Sequence, residues 1–359
     1  MENLIFDRSL KNFFKNKKIL ITGHTGFVGS WITYYFYKLG CQITGISTRE
    51  ASTNNIFNIL NIKNKIKHYN FDICDKSKFK KLSNKKFDFV FHLAAKPLVF
   101  EGVNEPDIYI KNNILSSLNV FSQIKNASVI INFTTDKVYK NKNKINYKYR
   151  ETDELGGDDP YSYSKTCSDL LTKTWASLNS NQKTHYCNVR SGNIIGGGDW
   201  NKKRIISDIV NLIFKKKKLF VRSRYSTRPW VHVIEVCICL GNLIMKLKKN
   251  KQNYSDWNIG PNKKDEKNIS WIINRSLVIS NSNHLIKNVY FLKRKEFNEK
   301  NYLRLDNTKI KKKIKYDFNL NINQRLKLTL DWYKCYFNDP KELENIIIKQ
   351  FNYAITRSK

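Results

Sequence analysis

The chain has 359 residues, 41% of them hydrophobic and 13% aromatic, enough for one large core and a smaller one and too apolar for a disordered chain. Its 65 Lys and Arg against 30 Asp and Glu give a formal charge of +35, but the lysines are spread along the whole chain without zinc-finger spacing or an aromatic-basic signature, so a nucleic-acid role is set aside. No apolar run reaches the roughly 18 residues of a membrane helix, charges interrupt the N-terminal stretch, and the seven cysteines make no C-x-x-C pair, which points to a cytoplasmic protein with structural thiols and no bound metal.

The first half alternates short β-branched runs with helical pattern, the mark of βαβ units. In chain order, strands are expected at 17–22, 41–47, 66–72, 87–95, 128–135 and 184–190, with a helix over 31–40 ended by Gly40. The stretches between strands have the length that parallel crossovers need, so the fold class is α/β, a Rossmann-type doubly wound parallel sheet. From about residue 190 the alternation breaks down: GGGDW at 196–200 is turn-rich, and helices are expected over 205–214 and 233–247. Residues 1–188 therefore read as a Rossmann-type domain, which the glycine loop at 21–31 makes the NAD(P)-binding one. Residues 189–359 read as a smaller α/β C-terminal substrate domain over the carboxyl edge of the sheet, with segments at about 233–262 returning to the first domain.

ITGHTGFVGSW (21–31) places Gly23, Gly26 and Gly29 between the first strand and the start of a helix. Glycines there allow a tight turn and close approach of backbone to a pyrophosphate. The helix N-terminus adds N–H groups and a favourable dipole, so a dinucleotide is expected. The end of the second strand offers Ser47 and Arg49 where an acidic residue would bind an adenosine ribose, which leaves NAD and NADP both open. Asp72, ending the third strand, is a candidate acceptor for the adenine amino group, or else an ordinary Asx turn.

PYSYSK (160–165) holds two tyrosines before one lysine. Tyr161 and Lys165 are four apart at the start of a helix and share a face; Tyr163, two before the lysine, does not. Lys165 beside Tyr161 would favour the phenolate, lower its pKa and hold a nicotinamide ribose, letting Tyr161 take a proton from a sugar hydroxyl. TTDKVY (134–139) ends the fifth strand with a hydroxyl, an acid and a base in succession, Thr135, Asp136 and Lys137. Dehydrogenation alone needs only the tyrosine and a hydroxyl. The extra acid and base allow a proton to be taken from one carbon while a hydroxide leaves the next.

GHTGFVGSW, FHLAAKPLV (91–99), TTDKVY and DPYSYSK together resemble the extended short-chain dehydrogenase/reductase (NAD-dependent epimerase/dehydratase) family. VRSGNIIGGGDW (189–200), RSRYSTRPWVHVIE (222–235) and WNIGP (257–261) are similar to the CDP-glucose 4,6-dehydratases within it. The resemblance implies a nucleotide-sugar substrate, CDP-D-glucose, and a tightly held NAD. Tyr161 would take the C4 hydroxyl proton as hydride leaves C4, with Thr135 hydrogen-bonded to the C4 oxygen. Asp136 as acid and Lys137 as base would eliminate water across C5 and C6, roles that a coupled pair can exchange. The hydride would then return to C6, leaving CDP-4-dehydro-6-deoxy-D-glucose.

The same resemblance implies further cofactor contacts at Thr25, Phe27, Ile73, Ala94, Ala95 and Asn113. It places Asn193, Arg204, Arg222, Arg228 and His232 around the nucleotide sugar, where guanidinium forks suit phosphate oxygens. A homodimer or dimer of dimers through helices at 107–125 and 161–178 is also implied. Two residues depart from the group: Val28 stands where it has Lys, and Lys96 where it has Gln. An epimerase or reductase on another nucleotide sugar is the alternative reading, and the Asp136–Lys137 pair separates the two. A binding module without catalysis is opposed by the intact Tyr161, Lys165 and loop glycines.

Overall fold

The structure, a computed structural model, describes residues 7–48, 54–181, 183–250, 252–292 and 300–358. Strands β1 (Lys18–Thr22), β2 (Gln42–Ser47), β3 (Lys67–Asn70), β4 (Phe89–His92), β5 (Val129–Thr135) and β6 (His185–Ser191) stand in the order 3-2-1-4-5-6, all parallel. The strand Tyr254–Ile259 adds a seventh, parallel to β6. Strand order reverses between β1 and β4, and at such a point a crevice opens beyond the carboxyl ends.

Side-chain alternation within each strand feeds two cores. Ile19 and Ile21 of β1 join Phe89, Phe91, Val129 and Ile131 beneath the helices Phe27–Lys38, Val233–Leu247 and Leu343–Ser358. Leu20, Val90 and Ile130 face the other way, against Val120, Phe121 and Ala176 of the helices Pro106–Gln123 and Pro160–Leu178. A sheet buried on both faces has to be apolar along its whole length, which is why these strands read as continuous apolar runs. A separate cluster gathers Ile209, Leu212, Ile273, Leu277, Leu326 and Leu330 from the helices Ile205–Lys215, Ile269–Ile279 and Ile322–Asn338. Arg325, fully buried, ties this cluster to the start of the helix Val233–Leu247 through Glu235 at 2.7 Å.

The differences from the sequence reading have local causes. The third strand ends at Asn70 and the fourth at His92, because the residues beyond them leave the ladder to line the crevice. The first long helix starts at Phe27, with Gly26 as its N-cap, so the last loop glycine belongs to its first turn. The seventh strand is not announced by its sequence: YSDWNI interleaves polar and apolar residues. Its membership of the sheet comes from pairing with β6.

Candidate active site

Loops after β1, β4, β5 and β6 line one cleft of about 1690 Å³, larger than the roughly 300–1,000 Å³ of a single small-ligand pocket and roomy enough for two elongated ligands. At its β1 end Gly23 has φ +73°, and a Cβ there would lie 2.8 Å from the Ala94 nitrogen. A Cβ on Gly29 would lie 2.1 Å from the Gly23 carbonyl oxygen. The loop is thus wound tightly against the first turn of a helix whose N-terminal residues Gly26, Phe27 and Gly29 border the cleft. A cradle that one Cβ would fill, beside a helix N-terminus, fits the pyrophosphate of a dinucleotide.

The remaining cofactor candidates divide by what their side chains do. Thr25, in the turn after β1, and Ser47, at the end of β2, share a 2.6 Å hydrogen bond. Arg49 lies outside the described residues. Asp72 and Ile73 border the cleft, and the Asp72 carboxylate accepts from Cys74 N at 2.8 Å, so the Asx turn is real. Ala94 and Ala95 border it through backbone and methyl groups. Asn113 is a buried bracket: it accepts from Lys96 N at 2.8 Å and donates to Ser164 Oγ at 2.9 Å, holding the β4 loop to the helix that carries Tyr161 and Lys165.

That helix, Pro160–Leu178, starts cleanly because Asp159 caps it, accepting from Ser162 N at 2.9 Å, and Pro160 needs no partner at the first position. Tyr161 borders the cleft and its hydroxyl hydrogen-bonds Thr135, whereas Tyr163 is 50% exposed on the outer face. The expected lowering of the Tyr161 pKa is not realised: burial pushes the phenol up to about 12, and the strongest opposing charge is Arg204. Lys165 is turned elsewhere, its Nζ donating to the Phe133 carbonyl at 2.8 Å. Burial drives the Lys165 ammonium down to about 8.

After β5 the chain makes a 3₁₀ turn, Asp136–Val138, capped by Thr135, whose Oγ1 accepts from Lys137 N at 3.3 Å and donates to Asp136 Oδ1 at 3.0 Å. Asp136 is buried, and its Oδ2 has no hydrogen-bond partner among the described residues. Burial lifts its carboxyl to about 6 against the pull of Lys137, Thr135 and Arg228. A buried acid poised near neutrality, with one oxygen unpartnered beside a cleft, is suited to donate a proton to a bound hydroxyl.

Sequence reasoning missed the clamp that sets this geometry. The face carrying Tyr161 and Lys165 continues four residues on to Asp169, which takes two hydrogen bonds from Arg190 of β6, at 2.9 and 2.7 Å. Arg190 also reaches Asp256 of the seventh strand at 3.0 Å, and both Arg190 and Asp169 are buried. Asn132 of β5 donates to Ser168 and Thr172 of the same helix. The available signal was the spacing Tyr161–Lys165–Asp169, which puts a carboxylate on the inward face of a helix.

On the opposite wall, Arg204 pairs with Asp199 at 3.1 Å just before the helix Ile205–Lys215. Arg228, 4% exposed, gives its guanidinium to the carbonyls of Thr227, Lys300 and Asn301 and directs its charge at Asp136. Asn193 and Arg222 border the cleft, as do Val28 and Lys96, and the Lys96 ammonium lies 5.5 Å from the Tyr109 ring centre. His232 corrects the sequence reading: it is fully buried and not on the cleft. It caps the helix Val233–Leu247 in a reciprocal box with Glu235, and burial with Arg325 nearby drives its pKa down to about 3. The stretch RPWVHVIE therefore sends Arg228 to the site and His232 and Glu235 to a helix start.

Residues 19–260 match the model of the NAD dependent epimerase/dehydratase family. A CDP-glucose 4,6-dehydratase of Salmonella typhimurium is 30% identical over 349 residues, covering 91% of this chain and 93% of that protein. The structure of a dTDP-glucose 4,6-dehydratase from Bacillus anthracis in complex with NAD is similar with a TM-score of 0.73 at 18% identity, over 92% of this chain and 99% of that one. The structure of a UDP-glucose 4-epimerase from Thermotoga maritima with UDP-glucose is similar with a TM-score of 0.77 at 19% identity, over 89% and 100%. At such identities the two structures speak for the fold alone, and the choice of reaction falls to the residues of the cleft.

Proposed function

The chain belongs to the NAD dependent epimerase/dehydratase family, and from that premise we propose that it converts CDP-D-glucose to CDP-4-dehydro-6-deoxy-D-glucose and water. Asp136 carries the reading: a buried carboxyl lifted to about 6, with Oδ2 unpartnered among the described residues, next to Lys137 and linked through Thr135 to Tyr161. An epimerase has no step that uses an acid and a base at neighbouring carbons, so the pair favours dehydration.

NAD, when bound, supplies the acceptor and donor of one hydride, so the overall reaction is redox-neutral. Gly23, Gly26 and Gly29 would hold its pyrophosphate, Asp72 its adenine and Lys165 its nicotinamide ribose. Tyr161 takes the proton of the C4 hydroxyl while Thr135 hydrogen-bonds the same oxygen; Arg204 offsets part of the cost that burial puts on the phenolate. The C4 ketone acidifies the C5 hydrogen, which Lys137 removes as the base of the pair. Asp136 protonates the C6 hydroxyl, the C6–O bond breaks, and water leaves. Arg228, at the substrate wall, holds the Asp136 carboxylate against over-stabilisation of its acid form.

The division into an NAD-binding domain, residues 1–188, and a nucleotide-sugar-binding domain, 189–359, is part of the proposal. The strand Tyr254–Ile259 and the helix before it pack with the first domain. A homodimer through the helices Pro106–Gln123 and Pro160–Leu178 is proposed because the outer face of the second leaves Tyr163 and Leu170 exposed. Seven free thiols fit a cytoplasmic setting.

Incubation with CDP-glucose in deuterium oxide tests the reaction. Mass spectrometry should show loss of water and one deuterium at C5. Lys137→Met should bind NAD as the parent does and release no water. Unreacted CDP-glucose with NAD present, or normal turnover by Lys137→Met, would refute the reading.

A further inference from the structure

Beyond Arg204 the cleft continues between the helix Ile205–Lys215 and the strand Leu219–Val221, which leads into Arg222. Asp208 lies one turn into this helix from its N-cap Arg204, whose carbonyl accepts from Asp208 N at 3.0 Å. Arg204 acts on Tyr161, and Arg222 is the charge that acts on Asp208. Outward from the reacting hexose, the wall therefore presents Tyr161, Arg204, and then Asp208 with Arg222. A nucleotide sugar with its hexose at Tyr161 places its diphosphate along the arginines and its base at the Asp208 end.

An acid at that end needs a physical reason, since it repels a diphosphate and loses solvation. Asp208 borders the cleft, takes no hydrogen bond from the described residues, and burial lifts its carboxyl to about 6 in spite of Arg222. Phe220 borders the same end, 55% exposed, with one face of its ring stacked on Tyr290 at 5.4 Å, so an aromatic pair stands where a flat ring would dock.

We propose that Asp208 selects the base, its carboxylate accepting a hydrogen bond from the exocyclic amino group of cytosine. The inference rests on the reading of this cleft as a nucleotide-sugar site. Cytosine presents an amino donor where uracil and thymine present a carbonyl acceptor. The carboxylate thus attracts one base and sets lone pairs against the other, which is discrimination by both gain and repulsion.

Calorimetric titration of the NAD-loaded protein with CDP and with UDP tests this. The parent should bind CDP at least about tenfold more tightly than UDP, and Asp208→Asn should weaken CDP about tenfold to a hundredfold while leaving UDP within about threefold. Equal affinity of the parent for CDP and UDP overturns the proposal, as does an Asp208→Asn variant that keeps the parent's ratio. Should that variant fail to fold, the parent's preference for CDP over N4,N4-dimethyl-CDP decides: equal affinity overturns the proposal and a preference upholds it. Selective binding of CDP with CDP-glucose left unreacted counts against the proposed reaction and not against base selection.

Discussion

Lys165 carries an ammonium group into a site where burial lowers its pKa to about 8, and Asp169 compensates only in part. The shift amounts to roughly 3 kcal/mol of disfavour toward the charged form. Below pH 8 the folded protein bears that whole cost. Between about pH 8 and the ordinary lysine pKa of about 10.4 the unfolded chain binds more protons than the folded one, so stability rises with pH. Lys165→Met should therefore melt higher than the parent at pH 7, with the gap closing as the pH rises toward 10, and should lose turnover. A variant that melts lower at every pH would show that the Phe133 contact outweighs the buried charge. The choice of Tyr161 over Tyr163 was legible because helix periodicity is local. The partner of Lys165 was not, because the Phe133 carbonyl arrives from β5.

Among the elements, the turn GGGDW shows how a loop is held at catalytic accuracy. Trp31 donates to the Gly197 carbonyl at 2.9 Å, Tyr333 donates to the Asp199 carbonyl at 2.8 Å, and the Asp199 side chain holds Arg204 at 3.1 Å. A Cβ on Gly197 would lie 2.0 Å from the Trp332 ring. Gly197→Ala should cost about 1–3 kcal/mol by overpacking. It should lower the melting temperature by a few degrees and raise KM for the nucleotide sugar as Arg204 is displaced. An unchanged melt and KM would mean that Trp332 yields instead. The turn itself was legible from its glycines, but its clasp by the helix Ile322–Asn338 was not, since no pattern within five residues names a distant tryptophan.

At the scale of the molecule, the formal charge of +35 acts on an anionic substrate before any contact forms. Lys137, Lys165, Arg204, Arg222 and Arg228 border the cleft beside carboxylates such as Asp136, Asp199 and Asp208, so the attracting field is that of the whole chain. Raising ionic strength from about 0.01 to about 0.15 M shortens the Debye length from about 30 to about 8 Å. It should raise KM for the nucleotide sugar severalfold and leave kcat unchanged. A KM indifferent to salt would assign the surplus of lysines to solvated surface alone.

The sequence by itself determined what depends on short spacing: the glycine loop between a strand and a helix, the Tyr161–Lys165 face, the Asp136–Lys137 pair at a strand end, and the alternation that makes a parallel sheet. Those patterns are legible because backbone geometry repeats within a few residues. Only the tertiary structure decided that Arg204 faces Tyr161, that Arg190 clamps Asp169, that Tyr254–Ile259 completes the sheet and that His232 caps a helix away from the cleft. It also decided the titration of Asp136 and Lys165, because desolvation belongs to the packed surroundings of a group and not to its neighbours in the chain.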